Sequence, residues 1–111
     1  YELPVILELK DMALELTDMA WDVQIFKDQQ YTNENVRVII THRDNFTMID
    51  EVKDFLFRII GYMEENGYEY DTHSNYGRLH FVNDGRIIIS SGEARSRYPS
   101  FTMINILFKK T

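Results

Sequence analysis

The hydrophobic period of this chain changes at Asn66-Gly67, and that change limits the fold more than any other feature. Before it, Met48, Val52, Phe55, Leu56, Ile59 and Met63 recur at the three-to-four spacing that lines one side of an α-helix. After it, apolar residues alternate at period two in short segments, residues 68–72, 78–82, 86–90 and 101–109. Glycine accepts the left-handed backbone that ends a helix, so Gly67 is the expected stop. The expected start is Thr47, whose hydroxyl can cap free amides, with Asp50 and Glu51 in the first turn where the helix dipole favours negative charge. At about 20 residues this helix would be ~30 Å long.

Upstream, Pro4 suits a first helical turn, and Leu9, Met12, Ala13, Leu16 and Ala20 follow at helical spacing. This predicts a first amphipathic helix over residues 4–20. Residues 21–27 place Val23 and Ile25 on one side of a strand, and residues 36–41 do the same with Val36, Val38 and Ile40. Asn83-Asp84-Gly85 is the strongest hairpin signal, because Asp-Gly supplies positive φ for a tight turn or bulge. The grouped strands read as successive antiparallel hairpins. The fold class that follows is α+β: two helices packed on one face of a mainly antiparallel sheet of five to six strands.

A chain of 111 residues supports one ordinary core, so residues 1–111 are expected to form a single domain. No repeat, linker or low-complexity tract divides it. Hydrophobic residues at 44% argue against disorder. The net charge of −6 opposes attraction to nucleic acid phosphate or an anionic membrane, so neither is an expected partner. With no cysteine there is no disulfide, thiolate ligand or cysteine nucleophile. No apolar run approaches the ~18 residues of a membrane span, and the sequence reads as soluble and cytoplasmic.

Catalytic signals are weak. His42, His73 and His80 have no motif spacing, although Asp44 and Asp71 stand near the first two. HExxH, GxxxxGK[ST], GxGxxG and GxSxG are all missing. Glu64, Glu65, Glu69, Asp71 and Asp84 are numerous, and as solvated faces and turns they need no catalytic role. Tyr62, Tyr68, Tyr70 and Tyr76 with Phe81 lack the basic residues that accompany base stacking, so they are expected to pack. No catalytic residue, metal ligand or cofactor is assigned, and the expected class is not an enzyme.

The stretch SSGEARSRYPSF, residues 90–101, is the exception in an acidic chain. As a link between two strands it is longer than the usual hairpin turn. Arg95 and Arg97 offer planar bidentate donors, Tyr98 is a suitable interface anchor, and Pro99 restricts the segment. The expected role is partner binding, with Glu64, Glu65 and Glu69 as the acidic face on a neighbouring copy.

In layout the chain resembles the tail-terminator and tail-completion proteins of long-tailed bacteriophages. The residues that prompt this are the first helix, VRVIITHRD, IDEVKDFLFRIIGYMEENGYEYD running into a strand, and FTMINILFKK. The resemblance implies a homo-oligomeric ring that caps or joins a tail tube, in the host cytoplasm or the virion. It covers nearly the whole chain except the hairpin at residues 78–90, and it carries over no functional residue. Function is therefore expected to be non-enzymatic assembly through protein partners. The alternatives are an acidic inhibitor of a basic, nucleic-acid-binding protein and a small histidine-dependent nuclease.

Overall fold

Pro4 opens α1 (Pro4–Met12), and the helix breaks at Ala13 before resuming as the short α2 (Leu14–Asp18). The computed structural model describes residues 3–28, 34–90 and 100–111. In order, β1 (Asp22–Lys27), β2 (Val36–Phe46), α3 (Asp50–Glu65), β3 (Tyr68–Ser74), β4 (Leu79–Phe81), β5 (Ile87–Ile89) and β6 (Phe101–Lys110) complete the α+β fold. The expected first helix is thus two helices. Its exit at Ala20 takes φ of 65°, with Trp21 N–H donating to the Leu16 carbonyl and Ala20 N–H to that of Thr17. That is a Schellman turn, with buried Leu16 and Trp21 at its two ends.

Four strands form one antiparallel sheet in the order β1-β2-β6-β3, and β4 with β5 form a separate two-stranded ribbon. Here the succession of hairpins fails. β6 pairs with β2 and β3, so the strand that comes last in sequence is central in space, and β5 does not adjoin it. The hairpin at Asn83-Asp84-Gly85 does form, with Gly85 at φ of 84° and Val82 N–H donating to the Arg86 carbonyl. β2 extends beyond the expected residue 41 by an irregularity between Thr41 and Phe46, after which Phe46 pairs with Phe101. Phe46 stacks on Phe101 at 5.8 Å while the Trp21 ring meets Phe46 edge-on at 4.7 Å.

The core lies on one face of the sheet. Val36, Val38 and Ile40 of β2 are in register with Phe108, Ile106 and Ile104 of β6, and all six are buried with Leu9, Leu16, Phe55 and Ile59 from the helices. α3 buries Val52, Phe55, Leu56, Ile59, Ile60 and Met63. Its amino-terminal cap position is Ile49, with no side-chain cap, in place of the expected Thr47. At its other end Gly67 has φ of 84° and accepts from Thr111 through N–H at 2.9 Å and Oγ1 at 2.7 Å, fixing the turn against the end of β6. Among the described residues, no helix is long and apolar enough to cross a membrane.

The ribbon is fastened to β3 by the buried side chain of Thr72 and the half-buried one of Tyr70. Thr72 Oγ1 donates to the Leu79 carbonyl at 2.9 Å and accepts from Leu79 N–H. Phe81 N–H donates to Tyr70 Oη, and the Phe81 ring packs edge-on against both Tyr70 and Phe57 of α3.

A candidate protein-interaction face

Because side chains alternate along a strand, the odd-numbered residues 37–41 of β2 and 103–109 of β6 emerge on the face opposite the helices, before the irregularity that returns Phe101 to the core. The ladder places Arg37 between Phe26 and Leu107, Ile39 between Gln24 and Asn105, and Thr41 between Asp22 and Met103. Asp71 and His73 of β3 continue the first two rows beyond Leu107 and Asn105. Phe26, Ile39 and Met103 are diagonal neighbours, so they trace an apolar stripe across three strands. Phe26 is 40% exposed and Met103 36%.

The polar groups around this stripe are bonded to one another. Arg37 donates through Nη2 to Asp28 Oδ2 at 2.9 Å and through Nη1 to Asn105 Oδ1 at 2.7 Å. Thr41 Oγ1 donates to Asp22 Oδ2 at 3.3 Å. Asp71 forms an ion pair with Arg78 Nε at 3.4 Å, with His73 Nε2 3.6 Å from its other oxygen. Leu107, on this same face beside Arg37, is only 6% exposed. Contiguous exposed apolar side chains rimmed by polar groups are the surface feature that marks a contact site, whereas singly scattered ones carry no such meaning.

Of the partner-binding residues expected from sequence, Arg95, Arg97 and Tyr98 lie outside the described residues. The strands β5 and β6 on either side of them belong to different sheets. Glu64, Glu65 and Glu69 are exposed but do not share a face: the first two end α3, and Glu69 projects from the helix-free side of β3 opposite Lys109.

The carboxylates that do converge come from elsewhere. Glu15, Asp50, Glu51, Asp54 and Asp84 surround an open groove of about 610 Å³, with Lys53, Phe57 and Gly85 completing its lining. Asp84 is the one member shared with the sequence-derived group, and it bonds Arg86 at 2.7 Å. The groove forms where α2, the start of α3 and the ribbon turn meet, a meeting that no local spacing encodes.

The histidines are separated by role. His42 packs on Trp21 with ring centroids 4.9 Å apart, His73 lies beside Asp71, and His80 is exposed on the ribbon opposite Ile88. Among the described residues, no group of three or more His, Asp or Glu is placed to hold a metal ion. Two tyrosines are perturbed. Burial, then the nearby Glu34 carboxylate and Tyr62, raises the Tyr68 phenol above its ordinary value of 10.0. Burial and then Glu8 raise Tyr62.

No family model matches this chain, and neither a curated protein nor a solved structure matches it.

Proposed function

We propose that this chain is a non-enzymatic protein-interaction subunit that docks through the helix-free face of its sheet. The observation that carries the reading is the stripe of Phe26, Ile39 and Met103, set among polar groups that already hold partners within the chain. The Arg37, Asp28 and Thr41 groups beside the stripe keep these partners when water is excluded, which lowers the penalty of docking a polar surface. The resemblance to tail-completion proteins supports an assembly role. The segments that prompt it build the first helix, α3 and the strands β2, β3 and β6 of the four-stranded sheet, whereas the ribbon of β4 and β5 is attached outside that sheet. On this reading the chain is a phage assembly subunit whose partners are proteins.

The test compares the wild-type chain with Ile39→Glu by native mass and by capture of interacting proteins from extract of its natural host. At least one association of the wild type should be lost in the variant while circular dichroism stays the same. Identical behaviour in both assays would overturn the reading.

The acidic groove favours a second reading, a regulator that engages a basic groove on a nucleic-acid-binding protein. Binding to a basic probe protein should then weaken steeply with salt and be lost in the Asp50→Lys/Asp54→Lys double variant. Binding that ignores both changes would eliminate it.

A further inference from the structure

We infer that the partner on the open sheet face is a second copy of this chain, packed face to face about a two-fold axis through Ile39. The inference rests on the reading of that face as a contact surface and adds the identity of the occupant. The first argument is the symmetry of the stripe. Ile39 lies between Phe26 on one diagonal and Met103 on the other. A two-fold axis in the interface plane, perpendicular to the stripe at Ile39, therefore lays Phe26 of each copy over the other copy's position 103. A thioether against an aromatic ring is a favourable contact, so the stripe is complementary to itself.

The second argument is where the charge lies. Against the chain's net charge of −6, most charges of the open face have a neighbour of opposite sign, Arg37 with Asp28, Lys109 opposite Glu69 and Arg78 with Asp71, and Asp22 is left as the carboxylate in excess. Five carboxylates line the groove formed by α2, α3 and the ribbon turn, away from this face. Face-to-face packing puts the two acidic grooves on the outer sides of the pair, where their repulsion is weakest and water screens it. A strongly basic partner would find its complement in the groove and not on the sheet.

The third argument concerns strength. Four strands spaced about 4.8 Å apart and six residues long cover only about 20 × 20 Å, less than the roughly 800 Å² per side of a standard stable interface. The pair is expected to be weak and to exchange readily.

The experiment measures mass by sedimentation equilibrium from low micromolar to near-millimolar protein. The wild type should rise to twice the monomer mass. Ile39→Glu should remain monomeric, and Ile88→Glu, which changes an exposed apolar residue on the ribbon, should pair like the wild type. Should Ile39→Glu lower stability, Met103→Glu at a more exposed position reads the same face. The chain has no cysteine, so a Phe26→Cys/Met103→Cys variant tests the geometry directly. Mild oxidation should link it into dimers, while either single variant stays unlinked. A wild type monomeric throughout, pairing insensitive to Ile39→Glu, or a ladder of larger cross-linked species would each overturn the inference. If the wild type is monomeric but Ile39→Glu abolishes capture of a different protein, the second copy is wrong and the interaction reading stands.

Discussion

Arg37 Nη1 donates to Asn105 Oδ1 at 2.7 Å, joining side chains 68 residues apart on neighbouring strands, and the same guanidinium holds the carboxylate of Asp28. The Asp28 side chain is 5% exposed and the Arg37 side chain 21%. Removing the cation takes from this buried carboxylate the counter-charge that Arg37 supplies. Arg37→Met should lower unfolding free energy by about 2–4 kcal/mol. Asp28→Asn in the same background should recover part of that loss, which a double-mutant cycle from urea unfolding would measure.

Thr72 is buried, and its hydroxyl serves both backbone groups of Leu79. Thr72→Val keeps the shape of the side chain and strands an N–H and a C=O. The expected loss is about 2–3 kcal/mol. Amide exchange should quicken in the ribbon around Leu79 and Ile89 before it does in β2 and β6. Uniform quickening would show that the ribbon does not depend on this one attachment.

Ala20 holds a left-handed conformation that disfavours any side chain with a Cβ. Ala20→Gly relieves that strain while adding freedom to the unfolded chain, and the net gain should be about 0.5–1 kcal/mol. A higher midpoint in denaturant with an unchanged slope is the expected result.

Tyr68 has a phenol raised above 10.0, so the fold favours its neutral form. Its contribution is therefore complete below pH 10 and disappears as pH rises through the higher folded value. Tyr68→Phe retains the ring beneath Lys110 Nζ, 4.7 Å away, and removes the titration. Melting temperature followed from pH 8 to 12 should fall less steeply in the variant. Parallel curves would assign the alkaline loss to other groups, Tyr62 among them.

Elements governed by near neighbours in sequence were legible. The stripe of α3, the stop at Gly67, the turn at Gly85 and the starts of β1, β2, β3 and β6 follow from periodicity and glycine chemistry. The misreadings share a different cause. Sequence order favours pairing β6 with its predecessor, although Ile104, Ile106 and Phe108 match β2 equally well by pattern, and alternation cannot choose between apolar partners. The polar residues from His42 to Asn45 masked the end of β2, which the aromatic contact between Phe46 and Phe101 restores. Ile49 takes the cap position of α3 without any side-chain bond, so capping chemistry pointed to the wrong residue.

The open face shows the same division. The alternation in each strand identified two sets of side chains, and Phe26, Ile39 and Met103 become neighbours only when β1, β2 and β6 are in register. The acidic groove is further from reach, because Glu15, Asp50 and Asp84 come from three separate elements.

The central position of β6 has a kinetic consequence. β1 with β2 can form a hairpin early, and α3 with β3 can form a second local unit, but nothing joins the two halves of the sheet until β6 enters between them. Both ladders of β6 then form together, one to β2 at separations of 55–72 residues and one to β3 at 30–42. Loop closure on that scale precedes most of the burial that rewards it, so the barrier to folding is set by the insertion of this one strand. Substitutions at Ile104 and Ile106 should slow refolding, while those in the ribbon should mainly hasten unfolding.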